Sequence, residues 1–440
     1  MSVLQGPTRG RAGGFSDWVG PAAERRREVT DAFLDTFAAW GYEYIATPLV
    51  EPLETVAAGI GGGRQADLFR FMDGDGSLLA LVGERTVSVA RVVAGQLQGG
   101  RFPLRLSYAG PVLFNRPPLG GRRREAMQAG CELIGHAGLE ADAECVAVAA
   151  AALEAGGLPG VQIDVGHADF IPSLLAAARL DAGSRARVAA ALRHRDLVAV
   201  EEALAGSEAG AAEKELLLAF PTLRGGRDLL DRAGAQLTDP EPHRVLAELG
   251  RLWDLLAAHG ITERVHLDLG AVRDWDYYTG PTFELFSADL GFPLGSGGRY
   301  DRLLGAFGLE APATGVVLHV DRCCDALLRA AGENGRRPLL RLGHAPGRER
   351  EALAAAARLR AAGVAVASEL TPTPDGGGAE GAAEAPPPTS PGGSAHAVGP
   401  AAASRSARVD STGTLRWRWH PHSGSGLESL LGAAAGEGGR

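Results

Sequence analysis

Aromatic residues make up only 6% of this 440-residue chain, and cysteine is rarer still, at four residues. Cys131, Cys145, Cys323 and Cys324 have no CxxC spacing and no adjacent pair of histidines, so they point to neither a zinc site nor a disulfide framework, and the expectation is reduced, buried thiols. No apolar run approaches the roughly 20 residues that a membrane-spanning helix requires. Residues 1–14 are rich in Gly and Arg without the apolar core of an export signal, so they are expected to be disordered and the protein to be cytoplasmic. An excess of positive charge is also missing. The 53 acidic against 44 basic residues leave a formal charge of −9, which argues against a broad phosphate-binding surface of the kind a nucleic acid needs. What remains is a 45% hydrophobic fraction, raised by alanine, in a chain long enough for two or three domains.

The periodicity predicts a mixed α+β chain. Pro21 to Trp40 carries Val29, Phe33, Phe37 and Trp40 at helical spacing and stops at Gly41; Tyr42 to Val50 alternates, and Pro48 makes it an edge or interface strand. Asp67 to Phe71 and Leu78 to Val82 bracket Asp73-Gly74-Asp75-Gly76, a hairpin turn. Glu84 then precedes a helix running to about Leu97, where a carboxylate either caps the helix or binds an amine, capping being the commoner use. Leu104 to Phe114 and Ala126 to Gly135 read as strands joined by a loop with Arg116, Arg122, Arg123 and Arg124. That loop is either an anion site or a solubilising hairpin tip. Residues 167–260 form a helical block between strand-rich blocks, which reads as an insertion. Gly295 to Asp301 looks like a glycine-rich turn before a short helix from Arg302 to Phe307, and Gly315 to Val320 is a strand. From residue 335 the composition changes: a β-α-β unit, a Pro/Gly/Ala/Ser-rich spacer over about 371–406 expected to be disordered, and a final hairpin from Arg408 to His420. The expected domains are thus 15–334 and 335–440.

The densest chemistry lies at Val272 to Glu284, where Arg273, Asp274, Asp276, Tyr277, Tyr278 and Glu284 fall within thirteen residues. Strands on either side, Val265 to Leu269 and Phe283 to Phe286, place it at a turn. Alone, such a stretch is better explained by a solvated hairpin turn with one buried tyrosine than by a pocket floor.

Taken in order, these pieces resemble the catalytic domain of class II histidyl-tRNA synthetases and its paralogue, the regulatory subunit of ATP phosphoribosyltransferase, over about Phe15 to Leu328. The resemblance implies an antiparallel sheet flanked by helices, dimeric through the first helix-strand element. Within it, the synthetase motif Phe-Arg-x-Glu-Arg-Pro becomes Leu113-Phe114-Asn115-Arg116-Pro117-Pro118, which puts Phe114 in place of the arginine that holds the α-phosphate of ATP. Losing one such donor costs ~2.7–4 kcal/mol of transition-state stabilisation. His319 stands where a glycine lets adenine lie against the backbone, and Leu81-Val82-Gly83-Glu84-Arg85-Thr86 has lost an arginine and a proline of Leu-Arg-Pro-Glu-x-Thr. The positions that surround histidine in the synthetase are largely kept: Glu84, Thr86, Gln128, Glu132, Arg273, Tyr277 and Tyr278. Asp274 and Trp275 depart from the usual Gly-Leu.

The resemblance therefore implies a non-catalytic regulatory subunit, with no cofactor or metal, that assembles with a short-form ATP phosphoribosyltransferase catalytic subunit in histidine biosynthesis and transmits feedback by L-histidine. The alternative is an active histidyl-tRNA synthetase. A buried polar network in a pocket that binds nothing would account for the same residues. Synthetases carry a full α/β anticodon-binding domain at the C-terminus; the short β-α-β unit and hairpin here favour the regulatory reading.

Overall fold

The computed structural model describes residues 12–60, 65–117, 123–178, 180–194, 196–205, 207, 210–219, 222–270, 278–288, 290–331, 340–369, 405–409 and 415–418. The chain divides into two compact units, Met1–Ala330 and Ala331–Arg440.

In the first unit, α1 (Pro21–Ala39) starts on a proline whose missing N–H costs nothing in the first turn, and it buries Val29, Phe33 and Phe37 along one stripe. Gly41 follows at φ 84°, a left-handed conformation that favours glycine. The alternating stretch after it is shorter than its pattern suggests. Only β1 (Glu43–Tyr44) and β2 (Val50–Pro52) pair, on two different sheets, with Pro48 between them. Helix α2 (Leu53–Ile60) leads to β3 (Arg70–Met72) and β4 (Leu78–Leu81), which form the expected hairpin across Asp73 to Gly76 and, with β2, a three-stranded sheet. Helix α3 (Arg85–Val92) continues as a π turn through Leu97.

Among the described residues the main sheet has nine strands. Besides β1 these are β5 (Leu104–Leu113), β6 (Glu125–Ile134), β7 (Gln162–His167), β8 (Arg224–Gly225), β9 (Val265–Asp268), β10 (Pro281–Phe286), β11 (Gly295–Arg299) and β12 (Ala313–His319), in the order β1-β5-β6-β12-β11-β10-β7-β9-β8. Six of its eight pairings are antiparallel; β1 with β5 and β7 with β9 are parallel. The parallel β7–β9 pair needs a long crossover, and the insertion supplies it: α5 (Phe170–Ala177), α6 (Ala182–His194), α7 (Leu197–Ala205), α8 (Ala211–Ala219), α9 (Asp228–Gly234) and α10 (Pro240–Ala258). The block is not wholly helical, because β8 extends the sheet edge from within it.

Two expectations are corrected by this topology. Strands β9 and β10 are not neighbours, since β7 lies between them, so the two do not pair as a hairpin; residues 271–277 between them lie outside the described residues. Gly295 to Arg299 is a strand, not a turn before a helix; only Leu304–Phe307 forms a helical turn, and it is 3-10. Glycine usually weakens strands. Here a Cβ at Gly297 would collide with the Gly315 carbonyl, and one at Gly298 would come within 2.6 Å of the Pro281 carbonyl, so close strand approach explains the residue type.

Helix α4 (Leu139–Ala155) is rich in alanine and buries both of its flanks. It packs against α1, α10 and the sheet in one core with Cys131, Leu133, Phe283 and Val316, which point to the same face. The opposite face of β6 and β12 carries the polar residues. All four cysteines are buried free thiols. Helix α11 (Val320–Ala331) closes the unit.

In the second unit, β13 (Leu340–His344), α12 (Glu349–Ala361) and β14 (Val366–Ser368) make the expected β-α-β turn with parallel strands. Strands β15 (Arg405–Val409) and β16 (Leu415–Arg418) complete a four-stranded sheet in the order β14-β13-β15-β16. The final hairpin thus begins at Arg405, inside the segment expected as spacer; residues 370–404 lie outside the described residues. Among the described residues no helix is long and apolar enough to cross a membrane.

Candidate functional site

Strand alternation puts Gln128, Gly130 and Glu132 of β6 on one face, and register aligns them with Gly110, Tyr108 and Leu106 of β5 and with His319, Val317 and Gly315 of β12. Glycines leave room for large side chains to lie flat on this face. A Cβ at Gly130 would come within 2.6 Å of the Tyr108 hydroxyl, and one at Gly315 would overlap the Glu132 carboxyl. Above the face runs the start of α3, which brings Glu84, Arg85 and Thr86 down as consecutive buried residues.

Glu132 is the centre of the arrangement and is only 1% exposed. Tyr300 donates to its Oε2 at 2.5 Å, Tyr108 to its Oε1 at 3.1 Å, and Thr86 Oγ1 lies 2.7 Å from the same Oε1. Thr86 Oγ1 is also 3.1 Å from Glu84 Oε1. One hydroxyl proton cannot serve both carboxyls, so a proton on Glu132 completes the network. Desolvation acts in the same direction, pushing the Glu132 carboxyl up to about 8. Burial likewise raises the Tyr108 phenol, with the Glu132 and Glu84 carboxylates adding to the effect.

Glu84 occupies the N-cap position of α3, yet its side chain makes no capping hydrogen bond. Its carboxylate turns to Thr86 instead, which leaves the amine-binding use of the position standing. Gln128 is 3% exposed, and its Oε1 has no partner among the described residues. Tyr278 packs against the buried cluster that includes Tyr108, Tyr300 and Val317, and a Cβ at Gly298 would sit 3.0 Å from its ring. Glu84, Thr86, Gln128, Glu132 and Tyr278 are thus gathered on one face, whereas Arg273 and Tyr277 lie outside the described residues.

Behind this face stands a buried ion pair. Arg299 donates through Nε and Nη2 to Asp142 Oδ2 at 3.0 and 2.5 Å and through Nη2 to the Gly138 carbonyl at 2.9 Å, tying β11 to α4. Tyr300 follows directly, so the pair sets where its hydroxyl arrives.

The neighbouring region is filled from within. The Arg116 guanidinium lies 4.6 Å from the Phe114 ring centroid, and its Nε donates to Asp67 at 2.7 Å. Arg124 stacks on Phe69 at 4.5 Å and on Phe15 at 5.6 Å, while Arg123 lies over Trp18 at 5.0 Å and donates to Asp325 at 3.0 Å. The described arginines of the basic loop are therefore held by internal partners; Arg122 lies outside the described residues. His319 sits opposite Gln128, where burial, with the Arg322 charge behind it, lowers the imidazole to about 3 and keeps it neutral.

Sequence reasoning missed Tyr108, Tyr300 and Arg85 as members of the site. Tyr300 had a local signal, since it follows Gly297-Gly298-Arg299. Tyr108 had none beyond strand alternation.

Comparison with known proteins agrees with this architecture. The sequence profile of the family described as Histidyl-tRNA synthetase matches residues 14–323. The chain is 38% identical to the ATP phosphoribosyltransferase regulatory subunit of Geobacter sulfurreducens over 71% of its length and 72% of that protein's. It is also 38% identical to the Moorella thermoacetica protein of the same name, over 73% and 81%. The solved structure of an ATP phosphoribosyltransferase regulatory subunit/histidyl-tRNA synthetase from Bacillus halodurans superposes with a TM-score of 0.74 at 31% identity, covering 83% of this chain and 93% of that one. With a histidyl-tRNA synthetase-type sheet, a glycine-lined polar face and these relatives, this chain belongs to the ATP phosphoribosyltransferase regulatory subunit family.

Proposed function

We propose that this chain is the non-catalytic regulatory subunit of an ATP phosphoribosyltransferase of histidine biosynthesis, acting in the cytoplasm on a short-form catalytic subunit and sensing L-histidine. The observation that carries the reading is the contrast at Phe114. Where a synthetase needs a guanidinium for the α-phosphate, this chain has a phenyl ring covered by Arg116. The neighbouring polar face keeps groups suited to an amino acid: the Glu84 carboxylate for an α-ammonium, Gln128 with an open acceptor, and Glu132, Tyr278 and Tyr300 for an imidazole. Arg273 is assigned to the α-carboxylate and Tyr277 to the wall by the family resemblance. A dimer through α1 and β1 is supported by the exposed Tyr44 on the edge strand of the main sheet.

Regulation requires histidine to bind one state of the assembly better than the other. The expected outcome is that the purified chain has neither transferase nor aminoacylation activity and forms a stable hetero-oligomer with a short-form catalytic subunit on size-exclusion chromatography. Absence of association at micromolar concentration overturns the reading, and histidine-dependent pyrophosphate exchange would replace it with the synthetase.

A further inference from the structure

Among the described residues, two buried polar atoms on the site face lack partners, Gln128 Oε1 and Arg85 Nε. Arg85 is 5% exposed and enters from the first residue of α3, between Glu84 and Thr86. Its guanidinium lies flat over Gly110, so close that a Cβ there would collide with Nη2, and Gly110 pairs across the strands with Gln128. Nη2 donates to the Pro111 carbonyl at 2.9 Å and Nη1 to Thr47 Oγ1 at 3.1 Å, which fixes the plane of the fork and leaves Nε as the open donor. Burying an arginine with a free N–H is costly unless something accepts from it. An α-amino acid carries both missing complements, a carboxylate oxygen for Nε and an ammonium for Gln128 Oε1.

We infer that Arg85 is a specificity-determining residue of the amino-acid pocket, supplying a second cation for the ligand's α-carboxylate beside Gln128. The inference rests on the histidine-sensing reading above and adds a residue to it.

The test is calorimetric titration of the full chain with histidine and with histamine, which lacks the carboxylate, for the wild type, Arg85→Met and Arg85→Lys. The wild type is expected to prefer histidine. Arg85→Met should lose roughly 10- to 100-fold in histidine affinity, the worth of a charged hydrogen bond, and leave histamine affinity in place. Arg85→Lys, which keeps the charge but not the Nε donor, should lose less. It decides the matter by the same comparison if thermal melting shows Arg85→Met to be unfolded. Histidine affinity within twofold of wild type, or an equal fall for both ligands, overturns the role of Arg85 while the sensing pocket stands. A wild-type chain that binds neither ligand overturns the pocket itself.

Discussion

The polar face around Glu132 and the arginine-rich region around Phe114 are stabilised in opposite ways. On the first, hydroxyls converge on a buried carboxyl, and glycines make room for Arg85, Tyr108 and Glu132 to lie over the sheet. On the second, Arg116, Arg123 and Arg124 lie against aromatic rings and neighbouring acids, so groups that suit an anion serve as packing instead. Buried polar atoms without partners among the described residues occur on both sides, Gln128 Oε1 and Arg85 Nε on the first and Arg124 Nε on the second, but on the second the guanidinium groups are already held by Asp67, Asp325 and Asn115. Positive charge in a loop does not by itself make an anion site when its arginines have internal partners.

If the polar side rests on its buried ion pair, the largest effect comes from Arg299→Met, which strands Asp142 without its cation. Truncating one member of a buried pair costs about 3–5 kcal/mol. Chemical denaturation should show a loss of that order, and a loss below about 1 kcal/mol would mean that α4 and β11 are held by packing alone.

The next effect separates the two sides by pH. The Glu132 carboxyl titrates at about 8 in the fold and near 4.5 when exposed, because burial disfavours its charged form. Its raised value makes stability greatest below 4.5 and erodes it as pH climbs towards 8, where the unfolded chain has released a proton that the native one retains. Glu132→Gln keeps the shape and cannot ionise. Between pH 5.5 and 7.5 the wild type should lose about 2–3 kcal/mol relative to the variant, one proton's worth over two units. Parallel curves for the two proteins would mean that Glu132 is ionised in the fold.

His319 runs the other way. Burial, aided by the Arg322 charge, lowers it to about 3 from 6.5, so its contribution is present above 6.5 and fades as pH falls towards 3. His319→Gln should flatten the acid limb of the stability profile between those values, measured by thermal melts. The change should be smaller than that at Glu132, because His319 keeps more solvent contact than Glu132. An unchanged acid limb would show a ring already hydrated in the fold.

How far these regions could be read in advance depends on whether the signal is local. Helix α1 was legible because Val29, Phe33 and Phe37 repeat at one helical face, and the β3–β4 hairpin because its turn residues tolerate unusual backbone angles. Glu84, Thr86, Gln128 and Glu132 were legible through the family pattern, and the sheet does gather them. Strand β11 was not, because glycine in a strand is explained only by what approaches it, and those neighbours, Gly315 and Pro281, are remote in sequence or on another strand. Tyr108 and Arg85 escaped for the same reason: a tyrosine in an alternating strand and an arginine beginning a helix acquire meaning only from Gly130 and Gly110 lying beneath them.

The smallest expected effect probes the filled side. Phe114→Arg restores the side chain that the resemblance assigns to the α-phosphate, and one such donor is worth ~2.7–4 kcal/mol at a transition state. That gain needs a phosphate already in place. Arg116 and Asp67 still make their ion pair in the variant, the His319 ring still stands opposite Gln128, and an added guanidinium beside Arg116 meets like charge. The single variant should thus show no histidine-dependent pyrophosphate exchange and no ATP-induced shift in melting temperature. Measurable exchange from that one substitution would mean that the nucleotide side is still open, and that the phenyl ring alone separates this chain from a synthetase.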